Sequence, residues 1–150
     1  MDLILWRHAE AEEGEEDLHR PLTARGEKQA ARMAAWLDRN LPEGLRVLSI
    51  PARRAEQTAC ALGRKYKLRA ELLPDGTPQE LLELVQWPHA RGAVLVVGHQ
   101  PVLGQTVAQL LEMKPGVCAL RKGAVWWLRQ RQRMEVCETI LLAVQSPEFL

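Results

Sequence analysis

The chain has 150 residues, 47 % of them hydrophobic and 26 % charged, enough to bury a substantial core as a single domain over 1–150. Its 20 basic and 19 acidic residues leave a formal charge of +1, which argues against nucleic acid or an anionic membrane surface as the main partner. Cys60, Cys118 and Cys137 show no CxxC spacing and suggest neither a disulfide framework nor a zinc site, so they are expected as reduced core residues of a cytoplasmic protein. No apolar stretch approaches the ~20 residues a membrane-spanning helix needs. The N-terminus, with acidic Asp2 and an apolar run that stops at Arg7, does not read as a signal peptide.

Leu3 to Trp6 is a short apolar run that ends in Arg7-His8, and it reads as a buried strand delivering this pair to the end of a sheet. The acidic stretch from Glu10 to Asp17 is expected as a solvated loop. Thr23 then suits the N-cap of a helix whose Ala30, Met33, Ala34, Leu37 and Leu41 fall at helical spacing; Pro42 and Gly44 end it. Arg46 to Ile50 predicts a second strand, leading through Pro51-Ala52 to Arg53-Arg54 and a helix that continues to about Tyr66. Arg69 to Leu73 is expected as a short edge strand, Pro74 to Pro78 as a turn cluster, and Gln79 to Val85 as a short helix. Ala93 to Val97 is uniformly apolar, as a central parallel strand covered on both faces requires. It ends in Gly98-His99-Gln100-Pro101, with Pro101 placed for the first turn of a helix from Val102 to Leu111. Ala124 to Leu128 and Glu135 to Val144 predict two antiparallel strands around a charged turn at Arg129 to Arg133, with at most one of Trp126 and Trp127 buried. His19 and His89 are expected at the surface.

Alternating strands and helices imply an α/β fold with a mainly parallel sheet and right-handed crossovers. The C-terminal ends of such strands face one edge, which gathers Arg7, His8, Arg54 and His99 although they are far apart in sequence. Helices starting near Arg54 and Pro101 add free backbone N–H groups and positive dipole ends at the same edge. Two histidines and several arginines, without a carboxylate cluster or a glycine-rich loop, suit a phosphoryl dianion handled without a metal. A neutral imidazole is nucleophilic near pH 7 while a guanidinium stays charged, so His8 is the candidate nucleophile on phosphorus.

Four blocks carry a family resemblance: Arg7-His8-Ala9, Arg20-Pro21-Leu22-Thr23, Ser49-Ile50-Pro51 with Arg54-Ala55-Glu56-Gln57-Thr58, and Gly98-His99-Gln100-Pro101. In this order the chain resembles the histidine phosphatase superfamily. The resemblance implies a phosphoglycerate mutase-like three-layer sandwich, with a mainly parallel central sheet and helices on both faces. The small size and the second and third blocks are most similar to the bacterial phosphohistidine phosphatases. That likeness implies a protein substrate phosphorylated on histidine, such as a phosphotransfer domain of a sensor-kinase relay; no cofactor and no nucleic-acid or membrane partner is expected, and the oligomeric state is left open, with a monomer favoured. By the same resemblance His8 becomes transiently phosphorylated, Arg7, Arg54 and His99 bind the phosphoryl oxygens, and Arg20 adds a further phosphate contact. These roles agree with the chemistry, since phosphoryl transfer needs in-line placement and charge stabilisation above all.

Ala9 stands where the family commonly has glycine, which excludes a strongly positive φ at that position. The chain is also short where longer family members carry a general acid; Asp75 and Glu80 lie in that region and are the two candidates. Lack of an acid suits phosphohistidine, because the leaving imidazole can hold a proton on its own second ring nitrogen, with a pKa of ~6.5. The short insertion also leaves the cleft open to a folded protein. Two alternatives stay open: a phosphatase of small phosphomonoesters on the same scaffold, which a carboxyl group near the leaving group would favour, and a catalytically inactive module that binds phosphoprotein.

Overall fold

The computed structural model describes every residue except Pro74, so that member of the expected turn cluster lies outside the described residues. In chain order the elements are β1 (Asp2–Arg7), α1 (Ala24–Asn40), β2 (Arg46–Ser49), α2 (Arg53–Cys60), β3 (Lys67–Leu68), α3 (Pro78–Leu84), β4 (Ala93–Gly98), α4 (Val102–Leu110), β5 (Val125–Arg133) and β6 (Val136–Gln145). The strands form one sheet in the order β3-β2-β4-β1-β5-β6. β1 to β4 run parallel, β5 is antiparallel to β1, and β6 is antiparallel to β5. This is the α/β architecture, with its mainly parallel sheet, that the sequence implied.

β1 and β4 take the centre because Leu3–Trp6 and Ala93–Gly98 offer apolar or side-chain-free surface to both faces, and all of these residues are buried. The chain moves from β1 towards β2 and β3 through α1 and α2, then leaves β4 in the opposite direction, past β1 to β5, after α4. Right-handed crossovers between the parallel strands therefore put α1 and α2 on one face and α3 on the other. α4, which leads into antiparallel β5, packs beside α3, as α1 packs with α2. The reversal of direction opens a crevice beyond the C-terminal ends of β1 and β4, the place where open α/β sheets bind ligands.

α1 begins as its sequence requires. Thr23 Oγ1 accepts from Gly26 N–H at 2.9 Å and donates to Glu10 Oε2 at 2.8 Å, so one hydroxyl caps the helix and ties down the loop that leaves β1. Gly26 permits that contact: a Cβ there would sit 2.0 Å from the Glu10 carbonyl oxygen. Gly26, Ala30, Met33, Ala34 and Leu37 form the buried face of α1. Among the described residues no helix is long and apolar enough to cross a membrane.

Several local expectations are corrected. α2 ends at Cys60 rather than near Tyr66, because the chain turns over Ala61–Gly63 with Gly63 in the left-handed region at φ 73°. The edge strand is Lys67–Leu68, paired with Leu48 and Ser49. Within the expected Arg69 to Leu73 strand, Ala70–Leu72 instead makes a 3-10 turn that directs Leu72 into the core. Arg129 to Arg133 completes β5 and is not a turn. The hairpin closes over Met134 and Glu135, both at positive φ (52° and 65°), as a two-residue turn with the twist of its strands demands. Cys118 alone of the three cysteines is buried; Cys60 and Cys137 are exposed. Trp127 is buried, with Nε1 donating to Asp2 Oδ2 at 3.0 Å, and Trp126 is half-buried.

Candidate active site

The parallel pairing of β1 with β4 sets Arg7 opposite Gly98, so His8 and His99 leave neighbouring strand ends side by side. His8 N–H fixes the first step out of the sheet by donating to the Gly98 carbonyl at 2.9 Å. β2 ends one strand away, with Ser49 opposite Val97. The chain then turns through Pro51-Ala52, and α2 starts with Arg54 in its first turn. Arg54 Nε donates to His8 Nε2 at 3.3 Å. Arg7, His8, Arg20, Arg54 and His99 all line one open cavity of about 370 Å³.

His8 Nδ1 lies 2.8 Å from the Ala9 carbonyl oxygen. A carbonyl only accepts, so Nδ1 carries the proton and Nε2, facing Arg54, carries the lone pair. Burial, together with the Arg54 and Arg7 charges, outweighs the hydrogen bond to Ala9 and pushes the His8 pKa down to about 3. The imidazole is thus neutral at physiological pH. Burial first, and the Arg54 charge second, also lower the pKa of His99, against an opposing pull from Asp17 and the carbonyls of Leu72 and Leu73. Arg7 Nη1 donates to the Leu120 carbonyl at 2.7 Å. Its Nε and the His99 Nε2 are buried without a hydrogen-bond partner among the described residues, a situation that costs about 1–3 kcal/mol per group. Oxygens of a bound anion would satisfy both.

The third sequence block braces this arrangement. Ala9 N–H donates to Thr58 Oγ1 at 3.1 Å, Thr58 in turn donates to the Arg54 carbonyl at 2.8 Å, and Leu22 N–H donates to Gln57 Oε1 at 2.7 Å. α2 therefore holds the loops after β1 and before α1 in one piece. Ala9 does not adopt a positive φ, so alanine fits there without strain.

The acidic loop is more than a solvated face. A one-turn 3-10 helix at Asp17–His19 folds against α2, and Asp17 and Glu13 line the cavity, as does Lys122. Hydrogen bonding to Arg20, helped by the Arg54 charge, holds the Asp17 carboxyl below the usual range. Nothing in the composition of the run Glu12 to Asp17 distinguishes the residues that face inward. Asp75 and Glu80, the acid candidates, do not line the cavity. Asp75 is exposed, and Glu80 forms a capping pair with Thr77, its N–H donating to Thr77 Oγ1 at 3.2 Å while its Oε1 accepts at 3.1 Å.

Residues 3–75 match the family model of the histidine phosphatase superfamily, branch 1. The phosphohistidine phosphatase SixA of Escherichia coli K12 is 36 % identical to this chain over 119 residues, covering 73 % of this chain and 74 % of the relative. This chain belongs to the histidine phosphatase superfamily. Another superfamily relative, the SixA homolog of Haemophilus influenzae, is 29 % identical over 126 residues, 73 % of this chain and 77 % of its own. A solved structure of the protein histidine phosphatase SixA complexed with tungstate superposes with a TM-score of 0.78 at 27 % identity, covering 99 % of each chain. The superfamily membership makes this chain a phosphatase-type hydrolase of the SixA-like group with a phosphoglycerate mutase-like fold.

Proposed function

We propose that this protein hydrolyses phosphohistidine on a partner protein, such as a histidine phosphotransfer domain, through a covalent phosphoenzyme on His8 and without a metal. The observation that carries the reading is the contact between Arg54 Nε and His8 Nε2 at 3.3 Å. It marks the nitrogen that bears the lone pair and sets a permanent cation beside the point of attack.

In the proposed reaction the phosphoryl group enters among Arg7, Arg20, Arg54 and His99, and the Arg54 Nε–H exchanges its His8 acceptor for a phosphoryl oxygen while the guanidinium keeps its place. His8 Nε2 then attacks phosphorus in line. The new N–P bond forms as the bond to the substrate imidazole breaks, and the electron pair passes to the leaving nitrogen. That ring is protonated on its other nitrogen, so it leaves as neutral imidazole. The guanidiniums stabilise the charge on the transferring group. Water attacks phosphorus in the second step, and His8 returns to its neutral form with the Nδ1 proton still directed at Ala9 O. The cavity is open and shares Pro101 with a neighbouring groove of about 770 Å³ along α3 and α4, which supports access by a folded domain.

The test is phosphate release from a histidine-phosphorylated phosphotransfer domain beside a simple phosphomonoester, with wild type and His8→Ala. Fast turnover of the phosphohistidine by wild type alone, with radiolabel retained on wild type and not on His8→Ala, is the expected result. Retained turnover in His8→Ala would sink the covalent scheme. Preference for the ester would shift the substrate class to small phosphomonoesters and make Glu13, on the cavity wall, the carboxyl group to examine as acid.

A further inference from the structure

The acidic turn ahead of Arg20 is the part of the cavity wall that the reaction above leaves without a role. Glu16 points away, pairing with His19 at 3.1 Å. Asp17 points in. Its Oδ2 accepts from Arg54 Nη2 at 3.1 Å, its Oδ1 accepts from Arg20 Nη2 at 2.9 Å and Nε at 3.2 Å, and its main-chain carbonyl accepts from Arg54 Nη1 at 2.7 Å. Two carboxylate oxygens thus bridge two guanidiniums of the phosphate cavity, with the charge-assisted hydrogen bonds that two phosphoryl oxygens would make.

We infer that Asp17 is a resident anion, holding the Arg20 and Arg54 donors while the cavity is free and exchanged for the phosphoryl group when substrate binds. The inference rests on the phosphatase reading of the cavity and adds to it a control of affinity. Binding a phosphoryl group breaks ion pairs as it makes them, so net affinity is lowered and the product phosphate leaves readily. A cluster of cations meant for a phosphoryl group would otherwise collect free phosphate. The two partners differ in the way exchange requires. The Asp17 side chain is 54 % exposed on a single turn and can swing to water, whereas Arg54 is 3 % exposed and stays in place.

Calorimetric titration of inorganic phosphate into wild type, Asp17→Asn and Glu16→Gln tests this. Asparagine keeps the shape, a carbonyl acceptor and the main-chain contact to Arg54. Glu16→Gln removes the same charge from the same turn without touching the arginines. Asp17→Asn is expected to bind phosphate about tenfold tighter and to show correspondingly stronger inhibition of turnover by added phosphate, with Glu16→Gln unchanged. Weaker or unchanged binding by Asp17→Asn would mean that Asp17 only braces Arg54, and overturns the inference. Equal tightening in Glu16→Gln would reduce the effect to a general field and overturns it too. Absence of phosphate binding by wild type would overturn the cavity's phosphate role as well, which separates the two failures. If thermal melting shows Asp17→Asn to be unfolded, Asp17→Ser, which keeps a short polar side chain on the turn, is read by the same criteria.

Discussion

The guanidinium of Arg54 donates its Nε–H to the lone pair of His8 Nε2, so the phosphate-binding cation and the nucleophile are already in contact before substrate arrives. The planar fork matters here because Nε serves His8 while both Nη groups reach Asp17. Lysine keeps the charge but offers one point instead of three donors in a plane. Arg54→Lys is expected to lower kcat by about 10²–10³, the range seen when one charge-stabilising donor is lost. Steady-state kinetics beside circular dichroism checks this; activity within a factor of about two of wild type would remove Arg54 from the machinery.

Phosphate binding should take up a proton at His99. Its pKa is depressed by burial and by Arg54 while its Nε2 lacks a partner among the described residues; a bound dianion supplies both an acceptor and an opposing charge, which raises the pKa again. Titration of phosphate near pH 7 in buffers of different ionisation enthalpy is expected to report more proton uptake, or less release, in wild type than in His99→Asn, since phosphate's own ionisation is common to both. Equal proton linkage in the two proteins would show that His99 binds phosphate as a neutral ring.

Stability should fall with acid earlier than carboxylates alone allow. His8 titrates at about 3 in the folded chain and His99 is also lowered, whereas in the unfolded chain both return to ~6.5. Below that pH the unfolded state binds protons that the native state does not, so stability declines as pH falls and shows no slope from these groups above it. Asp17, held low by Arg20 and Arg54, adds a loss of the same sign only below ~3.9. Urea denaturation between pH 6.5 and 5.5, above the range in which Glu71 and Glu148, also held low, contribute, reads mainly the histidines, and His8 brings a limiting slope of about 1.4 kcal/mol per pH unit. His8→Asn is expected to flatten the curve; an unaltered slope would refute the assignment.

Gly26→Ala should damage the loop after β1 through one methyl group. The added Cβ would lie 2.0 Å from the Glu10 carbonyl oxygen, and that carbonyl accepts from Thr23 N–H at 3.0 Å. Relief requires α1 and the loop to separate, at a cost of about 1–3 kcal/mol. Thermal melting reads the loss. An accompanying rise in KM is expected, because the same loop runs on to Asp17 and Arg20.

The sequence revealed most of the centre of the fold and less of its rim. Ala93 to Val97 admits one reading, and once β4 is central the strand-end rule brings His99 to His8. The helix and strand boundaries that shifted did so for local reasons: Gly63 was visible as a stop for α2, but the turn at Met134-Glu135 lacks the Asn-Gly signature, and only strand pairing forces those residues into the left-handed region. Asp17 was illegible. In a run of like charges the residue that faces inward is chosen by how the 3-10 turn docks on α2, a tertiary fact with no one-dimensional trace. The Asp75 and Glu80 candidates rested on the family's layout rather than on local chemistry, and the short connection here commits Glu80 to capping α3.

His8 and His99 owe their proximity to backbone pairing alone, with Arg7 facing Gly98 across two buried strands. Of the chain between them, β2, β3 and β4 are themselves strands of the sheet, and the connections that join these strands run outside it, so the lengths of those connections can drift. Evolution can lengthen a connection to add a lid, a proton donor or a docking arm and thereby retarget the scaffold to a new phosphate compound. A slip of one residue in the phase of β1 against β4 would present Gln100 or Gly98 in place of the second histidine and end the chemistry at once.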